Sequence, residues 1–505
     1  MTLIPSILKS RPYFNRIHIE KVEISEETVT MGGRRETEPV IHMDVRPIKR
    51  EQLKCPKCGK KCQKYGFKHP NPSKWRAIDC MGTKAYFFYR PQTIKCAEHG
   101  VLNEALPWAD GDSRHTSDFN DLVAWLAGRM TKRDISLYVG INWRTVGSCI
   151  NEAWHRVEQD ISHRLRNLKR FCIDETSHKV GHKYMTVVYD LDKNQVVWVH
   201  DGYGVAVFSE FCELLTEEER THVELVAGDG ARWIDSCVEK YFPNATRCTD
   251  PFHVTQWANS ALDEVRRSAA AKARAAYRKI SEKYNEQQES GTEVEGQISL
   301  DEVRQAEELC KTVKGAKYAL AHNPENRTAA QEEKIKLIEQ SDPDLAKSYQ
   351  LKEKLRVILH MTDADAAAEA LDEWIQECSE SVWSAMRELA VKIARHRKNI
   401  LNSIRFGANS AKSESTNTTI KSLIKMARGF RNFENMASLI YLKCSNIVVP
   451  VNARIRMYGE QKEERRAYMS EYRSRKEAER RSDALKRMSK NEPMYKFYTA
   501  SAQVS

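Results

Sequence analysis

The chemistry this sequence could perform starts with its acids. Asp174, Asp229 and Asp250 each follow a short apolar run, within FCIDE, VELVAGDG and ATRCTDPFHV, and Glu414 comes much later in NSAKSESTNTTIKSLIK. Two divalent metals about 3.5 to 4 Å apart need hard anionic oxygens that converge from different elements, and acids at strand ends meet that need. Taken singly, an aspartate at a strand end is more often a turn or cap residue, and a glutamate in a first helical turn is favoured by the helix dipole. The spacing by itself leaves both readings open. On a helix, Glu414, Asn417 and Lys421 fall on one face at i, i+3 and i+7, so a carboxylate is succeeded by an amide and an ammonium, which suits metal and phosphate together. Ile420, Leu423 and Ile424 form the apolar stripe of that helix, with Ser413 as its expected cap.

A second ligand set is softer. Cys55-x2-Cys58 and Cys96-x2-His99 supply two pairs of ligands on tight knuckles, the first reading CPKCG, and tetrahedral structural Zn2+ takes such a set. Cys62 and Cys80 lie nearby without knuckle spacing. A third pattern is architectural. Residues 131–151, TKRDISLYVGINWRTVGSCIN, read as a short helix, a turn at Gly140 and a second helix capped by Asn142. That is the helix-turn-helix pattern, in which Asn142, Arg144, Thr145 and Ser148 would face the major groove of DNA.

These residues need a frame. The apolar runs at residues 171–173, 184–189, 196–199, 223–226 and 245–248 are too brief for helices and predict five buried strands, whose ends collect the acids where α/β folds place chemistry. Residues 17–45 alternate with period two and predict a small antiparallel sheet turning near Gly32-Gly33, and residues 85–90 predict another strand. Residues 116–158 turn helical, and a helical linker reaches Arg170. After Phe252 the chain becomes helical and highly charged for about 150 residues, with an exposed polar loop expected over 287–302, helix starts at Asp342-Pro343 and Asp363, and an apolar stripe from Val382 to Ile404.

Bulk properties bound the class. A chain of 505 residues with 41% hydrophobic content has room for about three domains and more than one core. Lys plus Arg exceed Asp plus Glu by 81 to 70, and residues 451–505 hold 14 basic against 8 acidic side chains, a tail that points to a polyanion. Thirteen scattered cysteines and no apolar leader predict a reducing compartment without a disulfide framework. No apolar run approaches the roughly 18 residues of a membrane helix, so no membrane partner is expected.

With these motifs in hand, the chain resembles the transposases of the ISL-three family of bacterial insertion sequences, a branch of the DDE transposases with an RNase H-like core. The matching stretches are CPKCG with CAEH, the helix-turn-helix with WRTV, FCIDE, VAGDG, FPNATRCTDPFHV, and SESTNTTIK with GFRNFEN after it, in the family's order. The chain departs from the family in His99, where a cysteine is usual, and in SES, where the family tends to have glycine.

The resemblance implies that Asp174, Asp229 and Glu414 are the catalytic triad, holding two Mg2+ or Mn2+ ions. Asp250 and His253 are auxiliary candidates. Lys421, Lys425, Arg428 and Arg431 would hold phosphates near the cut, beside Asn417. The implied fold is multidomain α/β, an RNase H-like mixed sheet core interrupted by an all-α insertion and preceded by a zinc-binding β module and a helix-turn-helix domain. Its expected divisions are 1–110 (β region with zinc finger), 111–168 (helix-turn-helix), 169–258 (core, first part), 259–405 (helical insertion), 406–450 (core, final helices) and 451–505 (basic tail). The implied activity is binding of terminal inverted repeats in double-stranded DNA, hydrolytic release of the 3' ends, and their transfer to target DNA, by a homodimer in the synaptic complex. The expected location is the bacterial cytoplasm, at the nucleoid. A DNA-binding regulator that cleaves nothing, or an RNase H-like nuclease without strand transfer, are the competing functions.

Overall fold

A computed structural model describes residues 13–451, apart from 32–33, 159–160, 180, 182, 291–296, 362, 408–410, 446, 448 and 450, and beyond them residues 472, 475 and 476. The basic tail therefore lies almost wholly outside the described residues, as does the Gly32-Gly33 turn.

The chain begins with a long hairpin, β1 (Ile17–Met31) and β2 (Arg34–Pro47), paired antiparallel as the period-two pattern predicts. β4 (Ser73–Cys80) and β5 (Thr83–Tyr89) complete its sheet in the order β1-β2-β5-β4, over a core of Met43, Trp75, Phe87 and Trp108. Beside it, β3 (Gln63–Phe67), β6 (Gln92–Cys96) and β7 (Gly100–Asn103) form a small separate sheet.

Three helices come next: α1 (Ser117–Ala127), α2 (Lys132–Val139) and α3 (Trp143–Val157), with the short α4 (Ile161–Leu165) leading into the central sheet. That sheet takes all five predicted runs: β8 (Arg170–Lys179), β9 (Lys183–Asp190), β10 (Gln195–Asp201), β11 (Leu225–Gly228) and β12 (Thr246–Thr249), in the order β10-β9-β8-β11-β12. β8, β9 and β10 form an antiparallel meander, and β11 and β12 run parallel to β8. Between strands lie α5 (Val205–Glu213), α6 (Glu217–Thr221) and α7 (Arg232–Tyr241). α5 and α7 cover one sheet face through Phe208, Phe211, Ile234 and Val238, packed on Phe171, Ile173 and Val226.

From β12 the chain enters α8 (Pro251–Ser290), 40 residues and roughly 60 Å long. α9 (Leu300–Gly315), α10 (Lys317–Ala321), α11 (Ala329–Ser341), α12 (Pro343–Ile358), α13 (Ala364–Ser379) and α14 (Ser384–Arg405) pack with α8 around a core that includes Leu262, Leu355, Trp374 and Ile393. Asp342 and Asp363 cap α12 and α13 as expected, accepting from the amides of Leu345 and of Asp365 and Ala366. Two expectations shift. The polar stretch 287–302 is helical at both ends, since α8 continues through Ser290 and α9 begins at Leu300. Val382 is 64% exposed and precedes α14; its helical spacing from Met386 reflects sequence distance alone.

The chain returns to the central sheet through α15 (Ala411–Met426) and α16 (Phe433–Cys444). α15 starts two residues before Ser413, which therefore lies in its first turn rather than capping it, because Ala411 and Lys412 are good helix formers and extend the helix backwards. α16 packs between α3 and β10. Trp154 stacks on Tyr441 with ring centroids 4.7 Å apart, and Tyr441 Oη accepts from the buried amide of Val199 at 2.8 Å. Ala437, Ile440, Val146, Ile150, Val187 and Val199 thus share one core, which joins the helix-turn-helix to the sheet. Tyr441→Phe would leave the Val199 amide buried and unpaired, and is expected to cost about 1–3 kcal/mol, read as a lower urea midpoint with an unchanged slope.

Candidate active site and metal centre

The strand register brings the acids together. Ile173 pairs with Gly228, and Gly228 with Thr249, across β8, β11 and β12, so Asp174, Asp229 and Asp250 come directly after paired positions of three neighbouring strands. Parallel neighbours lie about 4.8 Å apart. Side chains alternate along these strands. Cys172, Leu225, Ala227 and Cys248 pack together on one face, while Phe171, Ile173 and Val226 pack on the other. By that alternation the three acids share the face of Cys172, away from α5 and α7.

Their surroundings separate their roles. Asp250 is 6% exposed, and its Oδ1 accepts from the amide of Phe252 at 2.9 Å at the start of α8. Asp174 and Asp229 are half-buried, and Asp229 Oδ1 accepts from the amide of Ala231 at 2.9 Å. His253, in the first turn of α8, stands between acids, with Nε2 3.6 Å from Asp174 Oδ1 and 4.0 Å from Asp250 Oδ2. Burial alone would lower its pKa. The bond to Asp174 and the carboxylates of Asp174, Asp250 and Asp229 outweigh that and raise it above the usual value.

Asp174 does not end its strand as the apolar run predicts, because β8 continues to Lys179 in its pairing with β9; α15 reaches it there, Asn417 Nδ2 donating to Asp174 Oδ2. Glu414 lies one turn earlier in that helix, and its side chain falls outside the described residues. Lys421, Lys425, Arg428 and Arg431 are all exposed, the first two on α15 and the others beyond its end.

One neighbour is missed by the sequence pattern. Glu175 is half-buried with Oε1 buried and unpartnered, and its carboxyl is pushed up to about 7 by burial, then by the charges of Asp229 and Asp174. Its visible signal is the adjacent acid in FCIDE. Among the described residues no Lys or Arg pairs with Asp174 or Asp229 within 4.0 Å. A hard cation fits the pair Asp174 and Asp229: concentrated carboxylate charge with little compensation.

The soft ligands converge as well. The ligand atoms of Cys55, Cys58, Cys96 and His99 all lie within 4.8 Å of one another. Cys58 Sγ and Cys96 Sγ are 3.8 Å apart, and His99 Nδ1 is 3.7 Å from Cys55 Sγ and 3.6 Å from Cys96 Sγ. Tetrahedral bonds of about 2.3 Å give edges of about 3.8 Å, so the cluster could hold zinc. Each knuckle turns on a left-handed glycine, Gly59 at φ 69° and Gly100 at φ 71°, and Gly59 N donates to Cys55 O at 2.9 Å. Cys62 instead points its thiol at Lys60 O, and Cys80 packs with Trp75 and Phe87.

The helix-turn-helix forms as its pattern predicts. Thr131 caps α2, Gly140 is left-handed at φ 67°, and Asn142 caps α3 by accepting from Arg144 N. Asn142, Arg144 and Ser148 are exposed, and Thr145 is half-buried. The opposite side of α3 meets α16, where Ser438 Oγ donates to Asn151 Oδ1 at 2.7 Å.

A family model described as transposase matches residues 171–440, and a second, described as the helix-turn-helix domain of transposase family ISL3, matches residues 104–154. The transposase for insertion sequence element IS1557 of Mycobacterium tuberculosis is 34% identical over 427 residues, spanning 85% of this chain and 92% of that protein. The transposase for insertion sequence element IS1001 of Bordetella parapertussis is 22% identical over 328 residues, 62% of this chain and 73% of that one. The first model runs from the second residue of β8, through the helices that follow the sheet, to a point within α16. The chain belongs to the ISL3 family of transposases.

Proposed function

We propose that this transposase cuts the terminal repeats of an insertion sequence and joins the freed 3' ends to target DNA, using Asp174, Asp229 and Glu414 as a divalent-metal site. The observation that carries the reading is the convergence on one sheet face: Asp174 within β8 and Asp229 just past the end of the neighbouring β11, with the helix that bears Glu414 bonded to Asp174 through Asn417. The strand order, an antiparallel meander and then two parallel strands, supports an RNase H-like core. The division proposed is a zinc-bearing β region, a helix-turn-helix, a core split by the helices from 259 to 405, and a basic tail. Separate cores for the hairpin sheet, the small knuckle sheet and the inserted helices support it.

Bound between these carboxylates, Mg2+ or Mn2+ would supply charge neutralisation at the scissile phosphate and a more acidic attacking hydroxyl. The protein's own part is positioning. Asn417 donates into Asp174 and fixes its rotamer, leaving the other carboxylate oxygen toward the site. Ala231 N does the same for Asp229. His253, its pKa raised by the acids, moderates their charge before substrate binds. Lys421, Lys425, Arg428 and Arg431 continue from α15 as phosphate contacts. Asn142, Arg144, Thr145 and Ser148 read the repeat, the knuckle module adding contacts while Cys55, Cys58, Cys96 and His99 hold zinc for structure alone. Two ends must be paired, so the working species is a homodimer on DNA. No described helix is long and apolar enough to cross a membrane. The proposed location is the cytoplasm, at the nucleoid.

The test is a product assay. Purified protein, a duplex carrying the element's end, a target plasmid and Mg2+ should yield 3'-hydroxyl ends and joined products. Nicks without joining would reduce the protein to a nuclease, and bound but intact DNA would reduce it to a regulator.

A further inference from the structure

The inserted helices contribute to the site as well as interrupting the core. Along α8, His253 and Trp257 are one turn apart on one face: His253 meets Asp174, and Trp257 lies against Gly230, the residue after Asp229. A Cβ built on Gly230 would sit 2.6 Å from Trp257 Cη2 and 3.1 Å from His396 Nε2, so the chain behind Asp229 fits directly under α8 and α14. Lys392, one turn before His396 on α14, holds its ammonium 4.0 Å from the centre of the Trp257 ring. It is half-buried, and no carboxylate lies within 4.0 Å of it among the described residues.

We propose that Lys392 is a phosphate-binding residue of the cleavage site, reaching in from the inserted helices to the DNA phosphodiester next to the bond that is cut. The inference rests on the acid-pair reading of Asp174 and Asp229. Burial lowers the pKa of Lys392, and the charge of Asp229 opposes that drop, as fits a side chain packed through Trp257 against the residue that follows Asp229. Once divalent cations neutralise Asp174 and Asp229, the ammonium keeps no compensating carboxylate among the described residues. A DNA phosphate supplies the missing anion, one that accepts from a compact point charge. The Trp257 ring beneath it fixes where the charge stands, by cation–π attraction and by filling the space below the aliphatic stem. Because the charge is held without an ion pair, the fold does not depend on it. Its removal should leave the melting midpoint unchanged.

Full-length Lys392→Gln, Lys392→Arg and Asp229→Asn proteins would be compared on a duplex carrying the element's end, with single-turnover cleavage, end binding and thermal melting measured on each. Lys392→Gln is expected to cleave roughly 10- to 100-fold more slowly, with end binding within about twofold and melting unchanged, and Lys392→Arg to recover most of the rate. Wild-type cleavage by Lys392→Gln beside an inactive Asp229→Asn overturns the inference alone. So does a slow Lys392→Gln whose melting midpoint also falls and which Lys392→Arg leaves unrescued, since that marks a structural role. Cleavage by Asp229→Asn overturns the acid-pair reading, and this inference with it.

Discussion

Asp229→Asn is expected to abolish end cleavage and strand transfer while leaving end binding intact. The substitution keeps shape and the bond from Ala231 N but removes the charge a divalent ion would bind. If that ion contributes about 4 kcal/mol to the transition state, loss of the site costs roughly a thousandfold in rate. Stability should hold or rise slightly, because Asp229 crowds charge against Asp174 and Glu175. The side effect is diagnostic. Glu175 stands at about 7 through burial first and the charge of Asp229 next, so in Asp229→Asn it should titrate lower, a shift visible by carboxyl-labelled NMR without any turnover. End binding, which the proposed function assigns to α3 and the knuckle module, should be unaffected in a gel-shift assay.

The second large effect is loss of zinc. The small sheet β3-β6-β7 has almost no apolar core: Cys55, Ile94 and Cys96 are buried, with Leu53, Cys58, Cys62 and Leu102 partly buried around them. Two of its three buried residues, Cys55 and Cys96, belong to the ligand set, so a bound zinc would do most to hold the module closed. Structural zinc in such small modules is worth about 10–16 kcal/mol in apparent binding free energy. Cys96→Ser, or chelation of the wild type, is therefore expected to open residues 53–104 to hydrogen exchange while the hairpin sheet stays protected by Met43, Trp75, Phe87 and Trp108. End binding should weaken and the central sheet remain folded. Metal analysis of untreated protein should find one zinc per chain.

Legibility in the sequence divides along physical lines. Short apolar runs mark all five central strands, because burial and strand length leave a local signature. The two knuckles and the helix-turn-helix are equally legible: ligand spacing, Gly140 and the Asn142 cap are local chemistry. Register is not. That Asp174, Asp229 and Asp250 stand in one row comes from the pairing of Ile173, Gly228 and Thr249, which no single segment encodes. The stacking of Trp154 on Tyr441 joins residues almost 300 positions apart, and nothing near either of them announces it. Glu175 shows the opposite failure. Its identity is plain in FCIDE, but its significance comes from burial and from the charge of Asp229, which only the fold brings near. Ser413 and Val382 are misplaced for a smaller reason, since helix starts blur by a residue or two and an apolar residue can match a period by chance.

On the proposed function, cleavage and joining both depend on α15 bringing Glu414 to Asp174 and Asp229 to make one metal site. Titrating Mn2+ into the protein–DNA complex, monitored by electron paramagnetic resonance, tests that convergence and needs no turnover. Wild-type protein should bind two Mn2+ ions per active site, and Asp174→Asn, Asp229→Asn and Glu414→Gln should each lose at least one. Wild-type stoichiometry and affinity in Glu414→Gln would contradict the shared site, leaving α15 as a helix that orients Asp174 through Asn417 and supplies no ligand of its own.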